Sequence, residues 1–446
     1  MESRELSDLL QTLLLSLRDD IKPGLDTANA RHRAELIDML LVRLSTEFEA
    51  STQSEPPAKP IASTAVDKLA NAIAPDINEL AVLEKTIATF AATEKHRRNL
   101  AEERLAEINA RRSDALDSGE ELQVPKERFS EYLRKKFPEH PHAEVKTLTI
   151  IPGGRSKGTL LLDIDSNGIS REIIVRLDFS SMVTGVSVAY EYPIVSALHE
   201  AGIKVPQPLW LETDTSITGG VFVTYDKVPG QAMGTLFQSD APAHFVRQYA
   251  AVLAQVHSLN IDGKNLADKL TWGKEDHPVR AMVDTFYQRY STTLPRTPLM
   301  DTAFAWLYLQ LEKIPNQRVL VHGDAGLHNT LGENGELTSL LDWELAHAGD
   351  PAEDLCYCKQ VVESIMPWAE FMAAYHANGG RKISDEQVGF FSVWRALQLA
   401  IQCAGTRQMF ATGVDRDLRI AAIGFNTLPK FLNILATELA KFSAEQ

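Results

Sequence analysis

Two short apolar runs, each followed directly by polar side chains, constrain the fold of this chain more than any other feature. The first run, at 319–321, leads into Asp324 and Asn329, and the second, in "LTSLLDWE", leads into Asp342. Between them, "ENGELT" contains Asn-Gly, the strongest short-range signal of a tight β-hairpin. A hairpin would carry Asp342 back beside Asn329, so we expect the three polar side chains to converge on one site.

These polar residues are of the types that phosphoryl transfer to a hydroxyl group requires. That reaction needs a carboxylate near the proton of the accepting hydroxyl, and hard oxygen ligands for Mg²⁺ on the phosphates of the donor. Asp324, Asn329 and Asp342 together offer one base and two metal ligands. In the alternative interpretation, Asp324 and Asn329 only cap a turn.

Composition and charge disfavour several other classes of protein. A length of 446 residues predicts two or three domains, and a net charge of −15 disfavours nucleic acid as a partner, because phosphate backbones bind basic surfaces. No uninterrupted apolar run approaches the roughly 20 residues that cross a bilayer, so no membrane partner is expected. The N-terminus lacks the basic start of a signal peptide, and three cysteines give neither a disulfide framework nor a paired zinc site. We therefore expect a cytoplasmic protein.

The pattern of the chain changes near residue 123. Residues 1–122 repeat apolar residues at helical spacing around a proline-rich linker at about 51–64, which predicts a helical accessory region. A homodimer through these helices is a hypothesis that light scattering of a chain starting near Val124 would test. Residues 123–230 have the pattern of strands with helices, and residues 231–446 are mainly helical in pattern. This order predicts an α+β protein with two lobes.

The polar segments also resemble those of a known family. "HGDAGLHN" followed by "LLDWE" is similar to the catalytic and metal-binding signature of the aminoglycoside phosphotransferase and choline kinase-like family. The similarity extends over about 126–440, and "GGRS" together with the arginine in "EIIVRLDF" resembles the acyl-CoA dehydrogenase-associated branch. The resemblance implies a protein-kinase-like fold, with a small antiparallel-sheet N-lobe and a mostly helical C-lobe after the helical N-terminal region.

The resemblance implies roles for individual residues. Asp324 would be the catalytic base, and Asn329 and Asp342 would bind Mg²⁺. Arg176 would contact the phosphates of ATP and Glu191 would orient it, although many relatives carry lysine at this strand position. The other nucleotide-binding residues implied are Gly153, Gly154 and Ser156 in the phosphate-covering hairpin, and Asp226 and Val228 in the hinge.

Neighbouring polar residues have structural interpretations. His322 is expected to hold the loop in place rather than to act in catalysis. Asp350 and Asp354 precede or begin a predicted helix, where capping is favoured over a role in the substrate pocket. His328 lies inside the loop, at a position where the motif tolerates many residue types.

The function implied by the resemblance is an ATP- and Mg²⁺-dependent O-phosphotransferase acting on a hydroxyl of a small molecule. A catabolic hydroxylated compound or a hydroxyacyl thioester is favoured as acceptor, and an aminoglycoside or macrolide antibiotic is the alternative. A hypothesis of another class is a nucleotide-binding regulatory protein that works through its N-terminal helices. A protein kinase is disfavoured, because Asp-Trp-Glu stands in place of Asp-Phe-Gly.

Overall fold

The computed structural model describes residues 126–151, 157–178, 186–263, 265–414 and 418–442, together with isolated positions in the first 125 residues. Most of the predicted helical region at 1–122, its linker and the hypothetical dimer surface lie outside these residues. The predicted phosphate-covering residues Gly153, Gly154 and Ser156 also lie outside them.

Helices and strands are numbered from residue 126 onward. The helices are α1 Lys126–Lys136, α2 Val188–Glu200, α3 Ala243–Ser258, α4 Pro278–Thr293, α5 Pro298–Gln310, α6 Ala352–Glu363, α7 Trp368–Ala377, α8 Asp385–Ala411, α9 Leu418–Ala422 and α10 Leu428–Lys441. The strands are β1 Glu144–Ile150, β2 Lys157–Ser166, β3 Ile169–Asp178, β4 Pro208–Glu212, β5 Phe222–Asp226, β6 Gln231–Ala232, β7 Val319–Val321, β8 Thr330–Glu333, β9 Glu336–Leu340 and β10 His347–Gly349. Short 3-10 turns cover Leu311–Lys313 and Leu327–Asn329, and a π-helical turn, Ile423–Thr427, joins α9 to α10.

A five-stranded antiparallel sheet in the order β1-β2-β3-β5-β4 forms the predicted small lobe. Successive side chains of a strand point to opposite faces of its sheet. The side chains of β3 therefore pack into two different hydrophobic cores. Val175 and Leu177 pack with Phe129 of α1 on one face. Ile174 packs with α2 residues on the other. Arg176 therefore lies on the face that α2 covers, which brings its guanidinium toward Glu191.

The predicted hairpin is present at β8 and β9. Asn334 and Gly335 have φ angles of 53° and 82°, the pair of positive values that a type I′ turn requires. Glu333 pairs with Glu336 across this turn. The backbone N–H of Leu341 donates to the carbonyl of Asn329 over 2.8 Å, so the hairpin returns the chain to Asn329 as predicted.

The chain divides into two compact units. One contains residues 1–118, 282–315 and 389–446, and the other contains 119–281 and 316–388. The second unit holds the five-stranded sheet and both small sheets, and with them every predicted site residue that the structure describes. The lobe boundary predicted near residue 230 falls inside this unit and stays a prediction.

In the first unit, part of the N-terminal region packs with later helices. The hydroxyl of Tyr287 donates to the carboxylate of Asp67, and Arg296 lies 3.4 Å from the same carboxylate. Tyr290 stacks on Phe304 with ring centroids 5.4 Å apart. Described N-terminal side chains such as those of Val66, Phe90 and Ala91 are buried. These residues of the N-terminal region therefore belong to the core of this unit.

Among the described residues, one continuous helical stretch is long and apolar enough to cross a membrane by length and composition alone. It is Ile420–Lys441, which comprises the end of α9, the π-helical turn and α10. Half of that stretch is buried in the structure, and its buried residues include Phe431, Leu435 and Leu439. A buried core helix passes the same test of length and composition, so this helix is weak evidence for a membrane segment.

Candidate active site

The loop that carries Asp324 is fixed by a buried carboxylate. Asp354, which is fully buried in α6, accepts hydrogen bonds from the backbone N–H groups of His322 (2.8 Å) and Gly323 (2.9 Å). Its Oδ2 oxygen also lies 3.0 Å from Nε2 of His257. Burial acts to raise the pKa of Asp354, but the hydrogen bond and charge of His257 together with His322 outweigh it, and the pKa is lowered. Asp354 thus remains a carboxylate that anchors the loop.

The prediction that Asp354 caps the helix now called α6 is wrong. Its side chain accepts hydrogen bonds from the loop before Asp324 instead. Asp350 does fulfil that prediction, because its Oδ1 accepts from the N–H of Ala352, the first residue of α6, over 2.9 Å. The amide of Gln387 donates to both oxygens of Asp350.

His322 holds the loop, as predicted. Its Nε2 lies 2.8 Å from the carbonyl oxygen of Leu341, and its ring packs on Trp343 with centroids 4.4 Å apart. The next residue, Gly323, has a φ angle of +79°, and a Cβ atom there would lie 2.4 Å from the carbonyl oxygen of Leu345. Only glycine suits this close approach of two backbone segments.

Asp324 and Asn329 converge as predicted. The side-chain amide nitrogen of Asn329 donates to Oδ2 of Asp324 and to the carbonyl oxygen of Asp324, and both distances are 2.9 Å. An amide that donates through its nitrogen keeps its oxygen as an acceptor or metal ligand. The contact also fixes the orientation of the Asp324 carboxylate.

The second oxygen of Asp324 has a different environment. Oδ1 is buried, and no described residue makes a hydrogen bond of good geometry to it. Nε2 of His328 lies 3.5 Å away. Burial acts to raise the pKa of the Asp324 carboxyl, but His328 and Tyr357 favour the carboxylate, so the pKa lies well below its usual range. The site therefore presents an ionised, oriented carboxylate, one oxygen of which has His328 as a neighbour but accepts no hydrogen bond of good geometry from the described residues.

Arg176 joins the sheet to the segment after the hairpin. Its Nη2 lies 3.0 Å from Oδ1 of Asp342 and 3.5 Å from Oε1 of Glu191. Asp342 has φ +67°, a left-handed conformation that aspartate and asparagine adopt more readily than most residues. Within the described residues, Nε of Arg176 and Oε1 of Glu191 are buried without hydrogen-bond partners. Nη2 of Arg176 thus lies between two carboxylates, while its role in contacting phosphate stays a prediction.

Three carboxylates form a cluster that suits a divalent cation. Oxygens of Glu191, Asp342 and Glu344 lie within 4.8 Å of one another. Burial raises the pKa of Glu191 above its usual range, against the lowering effect of Arg176, and the charges of Asp342 and Glu344 add to the rise. Hard oxygen donors of this kind fit Mg²⁺. Of the two predicted metal ligands, Asp342 belongs to this cluster and Asn329 does not, so the pair Asn329 and Asp342 stays a prediction.

The sequence analysis assigned no role to Glu344, although it is the third residue of the quoted "DWE" motif. Its separation of two residues from Asp342 was the signal that could have identified it. Lys157 was also missed: its side chain is buried, and its ammonium lies 3.7 Å from Oε2 of Glu344. A lysine at the start of a strand gives no sequence signal of burial, because most lysines are exposed.

The hinge residues lie at the end of β5, where the resemblance put them. The N–H of Asp226 donates to the carbonyl of Gln207 over 3.0 Å, and its carboxylate accepts from Nη2 of Arg171 over 2.6 Å. Val228 follows two residues later and is half-buried. A role for Asp226 and Val228 in binding a nucleotide base stays a prediction.

Replacing Asp354 by alanine is expected to lower the free energy of unfolding by about 3–5 kcal/mol, because it removes the carboxylate and leaves buried donors of His257, His322 and Gly323 without acceptors. Urea unfolding followed by tryptophan fluorescence measures the change. Asp262→Ala is the control: its exposed carboxylate pairs with Arg318, and such surface pairs contribute about 0–1 kcal/mol. Equal losses for the two variants would contradict the anchoring role.

Comparison with known proteins agrees with this geometry. The model of the phosphotransferase enzyme family matches residues 147–389, more than half of the chain. Acyl-CoA dehydrogenase family member 10 of Mus musculus is 27% identical over 246 residues, which are 53% of this chain and 22% of that protein. Member 11 of Homo sapiens is 31% identical over 174 residues, 37% of this chain and 22% of that protein. The chain thus matches about a fifth of the length of these relatives, and the predicted resemblance to this branch is confirmed.

A solved structure supports the fold alone. A protein of Ralstonia eutropha JMP134, named as an aminoglycoside phosphotransferase, superposes with a TM-score of 0.54 at 18% identity, covering 72% of this chain and 99% of that one. The family match, the sheet with its Arg176–Glu191 pair and the Asp324–Asn329 loop lead to one assignment. The chain belongs to the phosphotransferase enzyme family.

Proposed function

We propose that this protein is an ATP- and Mg²⁺-dependent O-phosphotransferase that acts on a hydroxyl group of a small molecule. The observation that carries the proposal is the Oδ1 oxygen of Asp324, which is ionised and buried and accepts no hydrogen bond of good geometry from the described residues. An acceptor hydroxyl needs such an oxygen as its partner. Arg176 offers its unpaired Nε to a phosphate oxygen in the same way.

The residues of this chain suggest how the transfer proceeds. The acceptor hydroxyl donates to Asp324 and is thereby aligned with the γ-phosphorus. As the oxygen of the acceptor bonds to phosphorus, the bond to the β,γ-bridging oxygen breaks and the hydroxyl proton passes to the Asp324 carboxylate. Asp324 therefore both orients the hydroxyl group and accepts its proton.

The metal and the fixed cation would share the charge of the phosphates. Asn329 and Asp342, with Glu344 nearby, would hold Mg²⁺, which when bound neutralises charge on the donor phosphates. Arg176 remains charged, since the neighbouring Glu191 and Asp342 raise its pKa against the effect of burial. Its guanidinium supports charge that spreads over the transferred group.

A hydroxyacyl thioester or another catabolic hydroxylated compound is the acceptor class that we propose. The support is the similarity to two proteins whose names place them in the acyl-CoA dehydrogenase family. The structural neighbour at 18% identity bears on the fold alone and gives no support to an aminoglycoside acceptor.

The deciding experiment is ADP release with Mg·ATP, and in parallel Mg·GTP, across a panel of hydroxyl acceptors. The panel holds hydroxy acids, their CoA thioesters, amino alcohols, aminoglycosides and macrolides. We expect release that depends on a hydroxyacyl thioester or hydroxy acid. A response to antibiotics alone would overturn the acceptor class. Nucleotide binding with no response from any acceptor would favour the nucleotide-binding regulatory protein instead.

A further inference from the structure

Lys157 is a buried cation that the proposed chemistry does not use. It is the first residue of β2, and only 1% of its side chain is exposed. A buried ammonium is strongly disfavoured unless acceptors surround it. The acceptors here come from three other segments: the carbonyl oxygen of Val186, Oδ1 of Asp178 at 3.1 Å and Oε2 of Glu344 at 3.7 Å.

Two of these acceptors lie at the beginning of α2. Asp178 accepts from the hydroxyl of Ser187 over 2.5 Å and from the N–H of Val188, the first residue of α2, over 2.9 Å. Val186 is the residue before Ser187. Lys157 therefore fastens the N-terminus of this helix to the sheet. Glu191, which contacts Arg176, lies one turn further along α2.

The third acceptor belongs to the carboxylate cluster. Glu344, Glu191 and Asp342 place oxygens within 4.8 Å of one another, so they repel. Lys157 lies on the Glu344 side of the cluster, and Arg176 lies between Glu191 and Asp342. Without the ammonium of Lys157, the buried carboxylates of Asp178 and Glu344 would lose the cation that they share.

We propose that Lys157 is a positioning residue, whose ammonium ties the N-terminus of α2 to Glu344 and so holds Glu191, Asp342 and Glu344 in the arrangement that binds Mg²⁺ and nucleotide. The inference rests on the proposed function, since it assigns Lys157 a part in the same site. Lys157 acts through carboxylates and touches no reacting atom. In the sequence it directly follows the predicted phosphate-covering residues at 153–156.

The test compares Lys157→Met with the charge-retaining Lys157→Arg. Binding of Mn·ADP is measured by calorimetry, because it requires no acceptor. Amide hydrogen exchange of the metal-free protein gives a second readout at Val188 and Ala189. We expect Lys157→Met to bind Mn·ADP about 10–100-fold more weakly, the usual effect of removing a group that orients metal ligands. We also expect faster exchange at the start of α2, and partial recovery of both in Lys157→Arg.

Two further variants keep the test decisive. Lys146→Met is the matched control, because Lys146 lies in the same sheet and pairs with Glu144 over 2.6 Å, but at an exposed position. The double variant Lys157→Met with Asp178→Asn removes a cation and its partner anion together. Its Mn·ADP affinity is measured if Lys157→Met alone fails to fold.

The outcomes separate the inference from the function on which it rests. Unchanged Mn·ADP affinity in folded Lys157→Met, or in the double variant, would overturn the positioning role. So would a loss of affinity without faster exchange at the start of α2. Failure of the wild-type protein to bind Mn·ADP would instead overturn the proposed function.

Discussion

Asp324→Asn is expected to lower turnover about 1,000-fold, within the range that general-base groups contribute, while nucleotide affinity stays close to that of the wild type. Asparagine has the shape of aspartate, so the contacts of the loop with Asn329 are disturbed little. It carries no negative charge and cannot take the hydroxyl proton. Arg176, Asp342 and Glu344 are untouched, so the predicted nucleotide and metal contacts remain.

Single-turnover phosphoryl transfer and nucleotide binding are to be measured on the same preparation. Asp268→Asn is the control, because Asp268 is exposed and pairs with Lys274 over 3.1 Å. Turnover within a few-fold of the wild type in Asp324→Asn would show that this carboxylate is not the base. An equal loss in Asp268→Asn would point to a general effect of removing a charge.

Asp342→Asn is expected to weaken Mg²⁺ binding by at least about 100-fold and to reduce turnover in proportion. The change removes a ligand charge and also the partner of Arg176 at 3.0 Å. Asparagine is chosen because φ at this position is +67°, where alanine would add backbone strain of its own. The measured loss then reports the charge rather than the backbone.

Mn²⁺ binding followed by electron paramagnetic resonance gives the metal affinity directly, without an acceptor. Asp262→Asn is the matched control, since Asp262 also pairs with an arginine but is exposed. We expect excess Mg²⁺ to recover part of the activity of Asp342→Asn. Metal affinity equal to that of the wild type would remove Asp342 from the set of ligands.

The arginine at 176 illustrates what a single substitution within a family can do. Lysine carries one point charge, whereas the guanidinium presents a planar fork of donors. In this chain one guanidinium nitrogen, Nη2, lies near both Glu191 and Asp342, which are on separate segments. The departure from the common lysine is therefore compatible with the predicted pairing, and it adds a contact to a predicted metal ligand.

Local patterns determined much of this site in advance. Asn334 and Gly335 specify the tight turn by themselves, because few other residues adopt two successive positive φ angles. The turn pairs Glu333 with Glu336 and reverses the chain, so that Asp342 comes back toward Asn329, although the register shifts between Leu331 and Gly332. Alternation along β3 likewise separates Arg176 from Val175 and Leu177. These features depend on neighbours in sequence, so the sequence alone predicts them.

Other features were decided only by tertiary structure. The side chain of Asp354 points to a loop about 30 residues earlier rather than to its own helix, because buried N–H groups there required an acceptor. Lys157 is buried because Asp178, Val186 and Glu344 surround it. A charged side chain can be buried only where distant segments bring partners to it, and no local pattern records which segments meet. The sequence by itself therefore determined the turn, the strands and the types of reacting groups, whereas the tertiary structure decided which charges support them.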